Sequence, residues 1–248
     1  MENNELLRRV QDLARRCDKS ACVTNTGFLT PADQYFLGSR PLTEFDCKLC
    51  FHGGAEDCER KAAFFLPDYL EEEYFDAAEY IKVIKLTAHF GTPGHRDYMG
   101  ALLGMGVGRE WIGDIRVIEN TAYVFCLPSV LRHLAGIDKV GRCGVTAEET
   151  ELSAVPALQL QVKSKSFSVM SMRLDAVTGG MFDLSRTEAA KQISLGNVSL
   201  NYSQCTKCDA QIREGDIISL RGSGKGRVTG TGGTSRKGRL FVNAEIYK

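Results

Sequence analysis

The chain has 248 residues, 43% hydrophobic and 25% charged, which excludes a disordered or fibrous protein and leaves room for two or three small domains. Its net charge of zero hides a split: residues 1–162 hold 17 Lys+Arg against 24 Asp+Glu, and residues 163–248 hold 14 against 7. No run of about eighteen apolar residues occurs, and the charged start MENNELLRRVQDLARRC lacks a signal-peptide core, so a cytoplasmic protein without a membrane partner is expected, its nine cysteines reduced.

In the first block, expected over residues 1–76, the spacing predicts a helix near Glu5 to Arg16, and TPADQYFL starts a second one with Pro31 early in the helix. CKLCFHGG reads as a strand, and the run from about Glu56 to Phe65, closed by Pro67, reads as a helix. This is a small α+β unit, followed by the acidic DYLEEEYFDAAEY. The second block, residues 77–155, alternates element types. YIKVIKLTAHF is a strand and GHRDYMGALLGMG a helix; WIGDIRVIE and TAYVFCL are strands around a tight turn at Asn120; PSVLRHLAG is a short helix and KVGRCGVTA a last strand. The order β-α-β-β-α-β is the split ferredoxin-like arrangement, which also underlies the RNA-recognition fold and hosts many unrelated functions. No exposed aromatic pair of the RNA-recognition type is evident, so stacking on single-stranded bases is not expected.

The third block, residues 160–248, opens on the strand-like LQLQVKSKSFSVMSMRLD. Leu174, Val177 and Met181 repeat at helical spacing, and after FDL a second short helix starts at Ser185-Arg186-Thr187-Glu188, whose spacing is that of a capping box. Ala189, Ala190 and Ile193 give that helix a narrow apolar stripe, and Gly196 suits the left-handed residue that ends it. Val198, Leu200 and Tyr202 then alternate with polar residues as in a half-buried strand, and Glu214-Gly215-Asp216 turns the chain into IISL. The end of the chain, RGSGKGRVTGTGGTSRKGR followed by the alternating GRLFVNAEIYK, reads as a hairpin whose tip carries charge. Charge alone leaves a nucleic-acid partner and a role without one both open.

The ordered set Arg173-Leu174-Asp175, Ser185-Arg186, Ala189, Ile193, Gly196, Val198, Asn201 and Gly215-Asp216-Ile217 resembles the S-four RNA-binding domain, named after a small-subunit ribosomal protein. In that family two helices and an adjoining strand present a basic surface to structured RNA. The resemblance implies Arg173, Ser185, Arg186, Lys191 and Asn201 as contacts. Arg186 in a first helical turn, beside free backbone N–H groups, suits a phosphate, although it equally suits a solvated helix start. Lys225, Arg227, Arg236, Lys237 and Arg239 on the glycine-rich end add candidates for nonspecific RNA affinity. The family pattern often has glycine where this chain has Tyr202. The earlier blocks extend the likeness: Gly53, Gly54, Glu59, Arg60 and Pro67, with His95, Arg96, Asp97, Gly100, Arg109, Gly113 and Asp114, resemble the YlmH-type proteins. Those join an α+β unit, an RNA-recognition-like domain and an S-four domain. The resemblance implies binding to rRNA or tRNA on the large ribosomal subunit, in ribosome-associated quality control, and carries a genomic link to cell division.

Two C-x-x-C pairs, at Cys47 and Cys50 and at Cys205 and Cys208, lie about 155 residues apart, and in a strand positions i and i+3 face opposite ways, so no metal site is expected. The His95-Arg96-Asp97 run lacks the rest of a kinase signature, and GMGVG lacks dinucleotide spacing. Asp97 reads as structural. The sequence therefore points to an α+β, multi-domain, monomeric RNA-binding protein that is not an enzyme and needs no cofactor. The alternatives are an RNA-modifying enzyme of pseudouridine synthase or methyltransferase type and a cell-division scaffold.

Overall fold

The computed structural model describes residues 3–40, 44–157, 162–234 and 238–247, and the chain divides into two compact units, residues 1–158 and 159–248. No helix among the described residues is long and apolar enough to cross a membrane.

The first unit begins with α1 (Asn3–Ser20), followed by β1 (Thr24–Leu29), α2 (Pro31–Gly38), β2 (Cys47–His52) and β3 (Lys61–Pro67). Leu6, Val10, Ala14 and Cys17, one stripe of α1, are buried against Leu29, Ala63 and Phe65. The strands form an antiparallel sheet in the order β1-β3-β2. The run expected as a helix from Glu56 to Phe65 is instead β3, the central strand. Ala63 and Phe65 pack under α1, while Ala62, Phe64 and Leu66 pack on the other face, so both faces are apolar and the period-2 signal is erased. β1 was not anticipated at all; its register shifts between Asn25 and Phe28, which breaks the alternation.

The remainder of this unit is β4 (Lys82–Ala88), α3 (His95–Gly104), β5 (Ile112–Ile118), β6 (Thr121–Cys126), α4 (Pro128–Leu134), β7 (Lys139–Val140) and β8 (Cys143–Thr150). The sheet order β5-β6-β4-β8-β7 is antiparallel throughout and has the ferredoxin-like pattern. The last expected strand is split: Gly141, at φ 59°, turns β7 back onto β8. Tyr98, Leu102 and Leu134 bring α3 and α4 onto Ile84, Leu86 and Val124. Asp97 Oδ2 accepts the Gly94 N–H at 2.8 Å, the structural role read for it. The opposite sheet face is partly covered: Ile81, Val83 and Phe125 share a core with Phe28 and Phe64 of the first sheet. Bases therefore cannot stack at those positions, which an RNA-recognition sheet would leave open.

In the second unit the chain runs through β9 (Val162–Val169), α5 (Leu174–Phe182), α6 (Arg186–Ser194), β10 (Val198–Leu200), β11 (Ser203–Gln204), β12 (Ile217–Leu220), β13 (Gly224–Thr234) and β14 (Leu240–Tyr247). The sheet order is β11-β10-β12-β13-β14-β9, every pairing antiparallel. Leu174, Val177 and Met181 of α5 and Ile193 of α6 are buried on Val198, Ile218, Val228 and Val242. Most of the glycine-rich run is thus an eleven-residue paired strand. The hairpin tip with Arg236 and Lys237 lies outside the described residues.

Candidate functional site

Two arginine systems stand out, one in each unit. In the first, Arg60 donates from Nη2 to the carbonyls of Phe28 (2.8 Å) and Arg109 (3.1 Å) and from Nε to that of Ile112 (3.2 Å). Asp114 accepts the Glu59 and Arg60 backbone N–H groups at 2.6 and 3.1 Å. Arg109 Nη1 donates to the carbonyls of Ile112 and Gly113. Burial, then the charge of Arg60, lowers the Arg109 guanidinium to about 10. A Cβ on Gly113 would run into Phe28, and one on Gly54, at φ 99°, into Phe125. The residues that carry the YlmH resemblance here stitch one sheet to the next.

The second system starts where α5 begins. The loop around residues 205–212 fixes the backbone there: Leu174 N–H donates to Ala210 O (2.9 Å), Asp175 N–H to Cys208 O (3.0 Å) and Ile212 N–H to Met172 O (2.8 Å). The Asp175 side chain is only 6% exposed. It accepts from Arg173 Nε and Nη2 at 3.2 Å each, from Arg186 Nε at 3.1 Å and from Ala176 N–H at 2.8 Å. Those four donors match the lone pairs a carboxylate offers. Burial would raise the Asp175 carboxyl, but the hydrogen bonds and charges of Arg173 and Arg186 outweigh it and hold the group below its ordinary value. Arg173 is 34% and Arg186 59% exposed, so a buried acid holds two guanidinium groups that solvent reaches.

Arg186 also lines a depression of about 370 Å³, together with Val169, Ala176, Gly179, Gly180, Leu184 and Arg239. Arg239 donates from Nη2 to Ser168 O at 2.7 Å. Two guanidinium groups beside Ala176, Gly179 and Gly180 make this an anion-receptive groove.

The other expected site residues fall in different places. Ser185 Oγ accepts the Glu188 N–H at 3.1 Å and so caps α6. The Glu188 carboxylate takes Gln192 Nε2 at 2.8 Å. Lys191 is exposed in α6, 4.0 Å from Glu188. The Asn201 amide is committed to the turn before β12: Nδ2 donates to Asp216 Oδ1 and Oδ1 accepts the Ile217 N–H, both at 2.9 Å. Gly226 and Val228 face Met181 and the core, so the alternate residues Lys225 and Arg227 lie on the sheet face away from the helices. Lys225 sits over the Tyr247 ring at 5.6 Å. In the sequence Asp175 stands out only as part of a motif, an acid two residues after an arginine in a basic unit. All nine cysteines are free thiols, and among the described residues no cluster of His, Cys, Asp and Glu could hold a metal ion.

Fold and site define a modular α/β protein, with a ferredoxin-like sheet in one unit and a guanidinium-lined groove in the other. Residues 72–154 match the family model described as "Putative RNA-binding domain in YlmH". The chain is 30% identical over 224 residues to "Ribosome-associated protein quality control protein P2" of Bacillus subtilis (strain 168), across 90% of this chain and 87% of that protein. In structure it is similar to "Cell division protein ylmH from Streptococcus pneumoniae", with a TM-score of 0.53 and 21% identity over 62% of this chain and 93% of that one, a likeness of fold. The chain belongs to the YlmH family.

Proposed function

We propose that the chain is a ribosome-associated RNA-binding protein whose second unit is an S-four domain, acting without catalysis in ribosome-associated quality control. Its ligand is rRNA or tRNA on the large subunit, bound by a cytoplasmic monomer. The observation that carries this reading is the groove between Arg186 and Arg239, with Arg186 fixed by a buried carboxylate and exposed to a ligand. The charge division supports it, since the unit with the groove holds 14 basic against 7 acidic residues. Arg173, Arg186 and Arg239 are the primary phosphate contacts. Lys191 and Ser185 flank them on α6, Asn201 shapes the adjoining turn, and Lys225 and Arg227, with Arg236 and Lys237, supply longer-range attraction. The covered face of the ferredoxin-like sheet argues against base stacking there.

The test is sedimentation of the tagged protein with purified ribosomes through sucrose gradients at low and high salt, followed by sequencing of cross-linked RNA. Co-migration with large subunits that weakens steeply with salt is the expected result, because several phosphate contacts release counterions. Migration as free protein under both conditions would overturn the reading.

A further inference from the structure

The only buried acid among the described residues of the second unit lies under its candidate RNA contacts, where charge counting alone would call it a handicap. We propose that Asp175 is a positioning residue for RNA binding, whose negative charge sets Arg173 and Arg186 as a fixed guanidinium pair and so raises affinity for a polyanion. The inference rests on the RNA-binding reading above.

Three observations carry it. All four N–H donors at the carboxylate are supplied by this unit, two by Arg173, one by Arg186 and one by the backbone, so the group is saturated and its charge is met by two cations. The backbone beneath it is held by the loop around residues 205–212, so the acid is a fixed anchor. Arg186 spends its Nε on Asp175, and its terminal amino groups make no hydrogen bond among the described residues. A free arginine side chain must be immobilised when it grips a phosphate; here that ordering is already in place, and the planar fork keeps its direction. An asparagine at 175 keeps the shape but replaces one acceptor oxygen with an N–H group that points donor against donor at a guanidinium. One arginine is released.

The experiment compares full-length wild type, Asp175→Asn and a charge-matched control, Asp183→Asn, for binding to purified large ribosomal subunits across a salt series. Asp183 is 85% exposed and pairs with Lys165, so its substitution removes the same charge from the same unit and leaves the guanidinium pair intact. Electrostatics alone would tighten both variants. Positioning predicts that Asp175→Asn binds about tenfold more weakly, with the slope of log affinity against log salt reduced by about 1 to 2, while Asp183→Asn binds as well as wild type or better. A mere loss of folded protein would lower the amount bound and leave the slope unchanged. Equal or tighter binding by Asp175→Asn, with wild type bound, overturns this inference alone; failure of wild type to bind overturns the functional reading and this inference with it. Should Asp175→Asn not fold, Arg186→Lys serves: it keeps the charge on an exposed side chain but loses the fork, and binding equal to wild type would overturn the pairing.

Discussion

Arg116 in the first unit and Arg186 in the second are both held by an aspartate, yet one side chain is 1% exposed and the other 59%. Arg116 pairs with Asp57, donates to Pro156 O at 3.0 Å and lies 5.0 Å from the Phe125 ring centroid. Its side chain is almost wholly withdrawn from solvent. A buried pair of this kind is weak evidence for net stability but expensive to break, because the survivor is left charged and unsolvated. The pair at Arg186 contributes little to stability, since water screens it, and leaves the cation within reach of a second anion. The same two functional groups are thus mortar in one unit and a presented surface in the other.

That contrast breaks most sharply at Asp57. Replacing it with alanine leaves Arg116 buried without its counterion, and unfolding in urea should show the first unit weakened by about 3–5 kcal/mol. A change well under 1 kcal/mol would mean that the Pro156 carbonyl and the Phe125 ring suffice for Arg116. The mirror experiment is Arg186→Gln, which is expected to weaken association with large subunits about tenfold while the urea midpoint stays in place. Glutamate is the poorer choice there, despite the exposure of Arg186, because it would set a second carboxylate against buried Asp175. If Arg186→Gln instead lost stability and kept binding, the two arginines would have the same role and the comparison would fail.

Acid should separate the units more gently. The Asp175 carboxyl is held below its ordinary value in the folded state, so its charged form favours folding above the unfolded value of about 3.9, and that contribution fades as pH falls through the lowered folded value. Urea unfolding from pH 7 to pH 2 should therefore show an acid limb that begins below about pH 4 and is flatter in Asp175→Asn. Asp183, lowered by its hydrogen bond to Lys165 and by that charge, contributes to the same limb, so the variant flattens it without abolishing it. An identical limb in both proteins would show that the Asp175 contacts add nothing to folding.

How far the sequence foretold this follows from where each signal is stored. The helices α5 and α6 were legible because cap, apolar spacing and terminating glycine are all local, and they fall at Ser185, at Ala189 and Ile193, and at Gly196, whose φ is 73°. The strand β3 was not, because burial on both faces replaces alternation with a plain apolar run. Arg186 was visible as a cation at a helix start, whereas its partner Asp175 sits eleven residues earlier on another helix and acquires meaning only when α5 and α6 pack. Lys225 and Arg227 joined the candidate site because charge has no facing in a sequence. Their turn away from the helices follows from Gly226 and Val228 taking the inward positions, which depends on knowing that α5 covers that face.

The smallest expected effect concerns a departure from the family pattern. β10 and β11 are joined by Asn201 and Tyr202, with φ of 48° and 65°, and Leu200 pairs with Ser203 across them. A two-residue hairpin with both central residues at positive φ is the type I′ turn, for which Asn-Gly is the favoured sequence. Asparagine is among the residues that tolerate this region, and here its amide is also held across the sheet by Asp216 and Ile217. Tyrosine is not among the residues that favour positive φ, and its Cβ crowds the following carbonyl. Glycine at 202 relieves that strain but adds freedom to the unfolded chain, and the ring's half-buried contacts are lost. The net result should be a gain of no more than about 1 kcal/mol in the second unit, read from the urea midpoint. Because the Asn201 amide still ties the turn to β12, Tyr202→Gly should leave affinity for large subunits unchanged. A drop in affinity would instead assign the tyrosine ring to the RNA-facing surface.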